Sequence, residues 1–324
     1  MNSKELNKTK QRTVFFDNDG GLDDILCLVM LLQFKNVKLI GCALTPANCF
    51  MEPALECSLK VFSLFGREDL QIARAHHYGV HQFPAEWRAY PVILNNLPLT
   101  INQTANEKQI AKEEGPEFLI KCVKESKEKV TLLLTGPCSN LAVALEKDPS
   151  IKDNIEEVVI MGGAVHTEGN VSQFNHNGSA EWNLYYDPFA AKKVLNSGLN
   201  ISLFTLDATN KCPLNKDLFK NFGKLRDYTM ANFVSCALAL TTKNISSYSE
   251  SFFLWDPMTA AYLGCDGLCS FKEVELEVET DAPNQGRTVE KKGGAKVNIC
   301  DDLIGKRFEE FYLDIMKANF PNLQ

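Results

Sequence analysis

The chain has no excess of positive charge: 34 Lys and Arg stand against 41 Asp and Glu, a net charge of -7. An acidic surface repels phosphate backbones and anionic lipid, so binding of nucleic acid or membrane is not expected as its main activity. No apolar run approaches the ~20 residues that a membrane span needs. The opening residues, MNSKELNKTKQR, lack the apolar stretch of a secretory signal, and residues 1–11 are expected to form a short solvated tail. The 11 cysteines are odd in number and scattered, with no C-x-x-C and no Cys/His pairing at zinc spacing. Buried free thiols in a reducing cytoplasm are the expectation. Pro-, Gly- or Ser-rich linkers, internal repeats and low-complexity tracts are missing too, which leaves one domain over 12–324 as the simplest organisation.

Apolar segments alternate between strand-like and helix-like character. Val14–Phe16 enters an acidic, glycine-containing turn; LDDILCLVMLLQF is dense enough in apolar residues for a buried helix; VKLIGCAL is an unbroken run of strand formers. Unbroken runs suit a parallel sheet covered on both faces. Further strands are predicted at Leu70–Ala73, Val130–Leu134, Val158–Met161 and Ile201–Leu206, and the alternating KEVELEVET reads as a half-exposed strand. Helices are predicted at Glu52–Phe65, Phe118–Lys124, from Leu141, and at Leu218–Phe222, Thr229–Leu240, Pro257–Leu263 and Phe308–Met316. The region His76–Thr104 loses periodicity and reads as a long, functional loop. The expected fold is α/β, with a mostly parallel central sheet flanked by helices.

The chemistry concentrates after the first strand. FFDNDGGLDD places Asp17, Asp19, Asp23 and Asp24 within eight residues at a strand-to-helix turn. Helix capping accounts for one or two acids there. Four packed carboxylates repel one another and drift toward protonation unless a cation lies among them. Oxygen donors without an adjacent thiol or imidazole suit calcium or magnesium rather than zinc. A second reading is open: DNDGG resembles the D-x-D-G-T start of haloacid-dehalogenase-type phosphatases, although Gly21 stands where that family has Thr or Val and the Asp23–Asp24 pair is not part of its pattern.

DNDGGLDD followed by an apolar helix is similar to the D-x-D-x-G-x-D-D signature of nucleoside hydrolases. Matches to LTGPCSNLA at 134–142, VVIMGGAV at 158–165, AEWNLYYDP at 180–188 and LWDPMTAAY at 254–262 follow in the same order. The chain most resembles the inosine–adenosine–guanosine-preferring branch. The resemblance implies hydrolysis of the N-glycosidic bond of purine ribonucleosides to free base and ribose. It implies calcium held by Asp19, Asp24, the backbone carbonyl of Thr135 and Asp256, with Asp19 as general base. Asp23, Asn170, Glu181 and Asn183 match ribose contacts, Asp17 a supporting carboxylate, and Trp182 lies beside the ribose set. A homodimer is implied, tetramers occurring in other members.

Two tryptophans bear on the base. Trp87 in FPAEWR and Trp255 before Asp256 match a pair that sandwiches purines, and stacking favours a protonated base. Core packing is the alternative for Trp255 alone. Residues 240–256 contain no histidine, the group used as leaving-group acid in the other branch. Asn48 stands where the purine branch carries a base-contacting aspartate; it hydrogen-bonds a purine but offers no acid proton. His76, His77, His81, His166 and His176 are expected in polar loops outside catalysis. A non-catalytic nucleoside-binding relative is a further alternative, though a binder has no need of the complete acid set.

Overall fold

The computed structural model describes residues 10–76, 79–172, 176–241 and 252–323. The chain runs β1 (Arg12–Asn18), α1 (Leu22–Gln33), β2 (Val37–Leu44), α2 (Met51–Leu64), β3 (Ile72–Arg74), α3 (Tyr90–Leu94), α4 (Gly115–Glu125), β4 (Val130–Leu134), α5 (Ser139–Lys147) and β5 (Ile155–Met161). It continues with α6 (Trp182–Tyr186), α7 (Pro188–Leu195), β6 (Ile201–Phe204), α8 (Leu206–Thr209), α9 (Lys216–Gly223), α10 (Thr229–Thr241) and α11 (Trp255–Gly264). The last elements are β7 (Cys269–Val278), β8 (Thr288–Glu290), β9 (Ala295–Leu303) and α12 (Gly305–Ile315).

The strands form one sheet in the order β3-β2-β1-β4-β5-β6-β9-β7-β8. From β3 through β9 the neighbours pair in parallel, and β7 and β8 add an antiparallel edge. This is the single-domain, mostly parallel α/β fold that the unbroken apolar runs predict. Alternate strand residues explain those runs. Val14 and Phe16 of β1 join the core beneath α1, α2, α10, α11 and α12. Phe15 between them joins the opposite core, beneath α4, α5 and α7. Side chains on a strand point alternately to the two faces, and here both faces are dry.

Several elements differ from the sequence expectation. Residues 76–104 are not one irregular loop: a 3-10 turn spans Trp87–Ala89 and α3 follows it. The third strand lies at Ile72–Arg74 rather than Leu70–Ala73. β6 ends at Phe204, and Asp207 falls in the short helix α8. α6 and α7 escaped prediction because each is short and starts from a polar cap: Glu181 accepts from the N–H groups of Asn183 and Leu184, and Asp187 from that of Ala190. β8 is three residues long. β9 carries polar residues at four of its nine positions, yet it lies inside the sheet between β6 and β7. All 11 cysteines are free, and eight of them are buried. Among the described residues no helix is long and apolar enough to cross a membrane.

The sheet order reverses at β1, whose neighbours are β2 and β4. β2 leads outward to β3, and β4 leads the other way. Ligands in open parallel sheets bind outside the strands' carboxyl ends at such a switch point. The acidic segment Asp17–Asp24 leaves β1 at that place.

Candidate active site

Asp19 follows β1 by one residue, and the turn to α1 is closed by two glycines. Gly20 has φ +72°, and a Cβ there would lie 2.8 Å from Ala54, Cys49 and Leu44 atoms. At Gly21 a Cβ would lie 2.7 Å from Nδ2 of Asn48 and close to the Asp23 and Asp24 carboxylates. The missing side chain is what lets Asn48 approach the acids. Asp23 and Asp24 occupy the first turn of α1, and Asp24 accepts from Gly21 N–H at 2.8 Å. Thr135 follows β4, and its hydroxyl donates to Asp24. Asp256 sits in the first turn of α11, which packs on α1.

One oxygen from each of Asp23, Asp24 and Asp256 lies within 4.8 Å of the others. Two oxygens on opposite sides of a calcium ion are about 4.8 Å apart, so the triad fits around one such ion. Asp19 is in hydrogen-bond contact with Asp24. Asp17, Asp19, Asp23, Asp24 and Asp256 are all buried. Oδ2 of Asp19 and Oδ2 of Asp17 have no hydrogen-bond partner.

Burial raises the pKa of each acid, and for Asp17, Asp19, Asp23 and Asp256 repulsion from neighbouring carboxylates adds to it. Asp19 is pushed well above the usual carboxylate range by desolvation, then by the charges of Asp24, Asp23 and Glu181. Asp256 is pushed up by desolvation, then by Asp23, Asp24, Asp19 and Glu181. Every charge named there is negative. Asp17 rises to about 8, mainly through desolvation, despite a 2.7 Å hydrogen bond from Asn140. An all-oxygen donor set, unpaired buried oxygens and unrelieved repulsion together match a hard divalent cation. The thiols nearby do not compete for it. Burial holds Cys27 and Cys49 well above the usual thiol range, and hence neutral.

The polar residues predicted for the ribose converge on the same place. Glu181 is buried at the start of α6 and accepts from the N–H groups of Asn183 at 2.9 Å, Gly163 at 3.1 Å and Leu184 at 3.3 Å. Burial raises its pKa to about 7, against the lowering effect of those bonds. Asn183 donates to the Thr135 carbonyl at 2.8 Å and the Met161 carbonyl at 3.2 Å. A carbonyl has two lone pairs, so Thr135 retains one for another partner. Asn170 is locked to Trp182: its Oδ1 accepts from Trp182 N–H at 3.2 Å, and its carbonyl accepts from the indole at 3.1 Å.

The aromatic residues divide into two groups. Trp87 packs edge-on to Trp182 at 5.3 Å and joins a cluster with Phe83 and Tyr186. Trp255 packs against Met161, Ala164 and Leu206, with Phe252 at 5.0 Å, and its indole donates to Asn210 at 3.2 Å. Each is partly buried. Oδ1 of Asn48 is a buried acceptor without a partner.

Sequence reading missed several supporting residues. Asn140, inside the quoted TGPCSNLA segment, bridges Asp17 to the Thr45 hydroxyl. Thr288 of β8 donates to the Ala164 carbonyl at 2.7 Å and accepts from the Ala164 N–H at 3.0 Å. Asp207 accepts from Val165 and His166 N–H, fixing the same turn. Two of the histidines are packed rather than solvated. His81 stacks on Tyr185 at 4.1 Å, and His176 meets the Tyr185 ring edge-on at 5.0 Å. His77 lies outside the described residues.

The comparisons with known proteins agree with this geometry. The family model of the inosine-uridine preferring nucleoside hydrolases matches residues 14–310. The chain belongs to this family. It is 26% identical over 318 residues to a probable uridine nucleosidase 2 of Arabidopsis thaliana, covering 93% of this chain and 88% of that one. Among solved structures it is similar to an inosine-uridine preferring nucleoside hydrolase from Bacillus anthracis. The TM-score there is 0.88 and the identity 34%, over 94% of this chain and 99% of the other. A purine-preferring ribonucleoside hydrolase from Gardnerella vaginalis shares the fold, with a TM-score of 0.77 and 23% identity over 94% of this chain and 98% of that one. Membership makes the chain a hydrolase of N-glycosyl compounds and sets aside the phosphatase reading of DNDGG.

Proposed function

We propose that the protein hydrolyses purine ribonucleosides, inosine and guanosine foremost with adenosine as a further substrate, to free base and ribose, in purine salvage in the cytoplasm. We assign calcium as the bound cation and a homodimer as the assembly. Asp24, Asp256, Asp19 and the Thr135 carbonyl hold the ion, and Asp23 stands close enough to share in holding it as well as to bond a ribose hydroxyl. When bound, such an ion supplies Lewis acidity to the oxygen atoms of substrate and solvent.

Asp19 accepts a proton from the attacking water, whose oxygen bonds to C1′ of the ribose. The C1′–N bond breaks, and its electron pair leaves on the base. Positive charge builds on the ribose, as in glycoside hydrolysis, and the surrounding carboxylates stabilise it. Glu181 lies towards the 5′ end, while Asn170 and Asn183 orient the sugar. Asp17 supports the ion-binding turn from behind, and Trp182 fixes Asn170. Trp87 and Trp255 stack on the base and favour its protonated form. Asn48, whose Oδ1 has no hydrogen-bond partner, bonds the base edge.

The observation that carries the purine reading is Trp255, partly exposed and directly before Asp256, in a segment without histidine. A second reading has support as well. The Arabidopsis relative is named for uridine, and the Bacillus anthracis structure for inosine and uridine. Base release from inosine, guanosine, adenosine and uridine, for wild type, Trp87→Ala and Trp255→Ala, separates them. The purine reading predicts turnover of purine nucleosides, with KM raised by about tenfold or more in each variant, the scale of one lost base stack. Uridine turnover equal to inosine, unaffected by either substitution, would contradict it.

A further inference from the structure

We propose that Arg88 is a positioning residue for the base end of the site, clamping the segment that carries Asn48 to the turn that carries Trp87. The inference rests on the reading that these two residues meet the base.

The Arg88 side chain reaches the short segment Pro46–Phe50. Its Nε donates to the Cys49 carbonyl at 3.1 Å, and Nη2 reaches the Pro46 carbonyl, more loosely, at 3.5 Å. The guanidinium lies 5.0 Å from the centroid of the Phe50 ring. The backbone closes the loop, because Phe50 N–H donates to the Arg88 carbonyl at 3.0 Å. Pro46, Cys49 and Phe50 bracket Asn48 on both sides.

The clamp matters because, among the described residues, no hydrogen bond fixes the Asn48 side-chain oxygen. The Asn48 Nδ2 lies close against Gly21 beside Asp23 and Asp24. Its placement therefore follows the backbone of residues 46–50. That backbone leaves β2 and enters α2 at Phe50, whose side chain supplies no cap. Arg88 is also the direct chain neighbour of Trp87. A rotation of the 3-10 turn that displaced Trp87 would break the bonds to Cys49 and Pro46. A planar fork of donors can hold carbonyls three residues apart, whereas an ammonium presents one point of charge. Bonds from an ionised donor are also stronger than neutral ones. Pro46 and Arg88 also line a cavity of about 140 Å³, together with Ala47, Gly79, His81, Gln82 and Tyr186, so the clamp forms part of one wall of an open space.

The test compares the full-length, calcium-loaded wild type with Arg88→Lys and Arg88→Met. Hydrogen–deuterium exchange over residues 45–51 reads the clamp without any turnover. Exchange in this segment is expected to rise in Arg88→Met and to a lesser degree in Arg88→Lys; unchanged exchange would overturn the proposal. Steady-state kinetics read its consequence. KM for inosine and for uridine is expected to rise about tenfold in Arg88→Met with kcat held within about threefold, the pattern of lost binding rather than lost chemistry. For p-nitrophenyl riboside, which carries ribose without a nucleobase, kcat/KM is expected to stay within about threefold. An equal loss on nucleosides and on the riboside would overturn the proposal, since it would place the effect at the ribose or the ion. If the wild type cleaves no nucleoside, the functional reading fails by itself, and the exchange result still decides whether Arg88 clamps the segment.

Discussion

Removing divalent cations is expected to invert the way stability depends on pH. Without a cation, the acids of the site are protonated more readily in the folded chain than in the unfolded one. Glu181 moves from 4.5 to about 7 and Asp17 from 3.8 to about 8, while Asp19, Asp24 and Asp256 are raised as well. Between the unfolded and folded values the native state holds more protons, so stability falls as pH rises. The stabilisation is complete below the ordinary carboxylate range and is lost as pH climbs through 7 and 8. For Glu181 alone the difference is worth about 3 kcal/mol, at ~1.4 kcal/mol per pH unit. At roughly 2 °C per kcal/mol in a chain of this length, that is about 6 °C in Tm. A cation needs the ionised acids, so its contribution grows over the same range and reaches ~2.7 kcal/mol at a hundredfold excess over its Kd. The assay is thermal melting from pH 5 to 8.5, with chelator and with calcium. Asp256→Asn serves as the control: it removes one repelling charge, so the chelated variant should melt above chelated wild type at pH 8 and gain nothing from calcium. A chelated Tm that stays flat or rises from pH 5 to 8, or a wild type indifferent to calcium at pH 8, would refute the reasoning.

Three further substitutions test separate parts of the structure. Gly21→Ala places a Cβ 2.7 Å from the Asn48 amide; kcat/KM is expected to fall by about tenfold or more, and Asn48→Ala in the same chain should recover stability lost to the clash, read by denaturant melts. Glu157→Ala strips Arg12 of its partner in a buried network where Glu157 accepts from Arg12 at 2.7 Å, Ser202 at 2.6 Å and Tyr262 at 2.9 Å. The cost is about 3 kcal/mol in chemical denaturation, with KM unchanged, because the network sits at the strand starts, opposite the acids. Thr288→Val deletes both bonds to Ala164 and leaves buried backbone groups unpaired; a loss of about 1–3 kcal/mol is expected, with KM raised through the turn whose Gly163 N–H holds Glu181.

The parallel core was legible because its strands are dry on both faces and therefore read as unbroken apolar runs. The acidic turn was legible because Asp17, Asp19, Asp23 and Asp24 are local in sequence, and like charges at that density need a cation. What sequence did not reveal was non-local or short. β9 lies in the interior of the sheet, but its Lys296, Asn298 and Asp301 give it the look of an edge or loop. α6 depends on Glu181, whose role as a cap is invisible until the backbone turns around it. Asp256 comes 232 positions after Asp24, and only the packing of α11 against α1 brings the two together. Thr288 and Arg88 show nothing in sequence, because their work consists of bonds to backbone carbonyls of distant segments.

The deciding measurement is the release of ribose, as reducing sugar, from inosine by calcium-loaded wild type and Asp19→Asn, a substitution that keeps the shape of the side chain and removes its capacity to take a proton. Turnover by the wild type is expected, with a loss of about a hundredfold or more in kcat in the variant and the calcium-dependent rise in Tm retained at least in part. Equal kcat in the two proteins, or no ribose from the wild type with inosine, guanosine, adenosine or uridine, would contradict it.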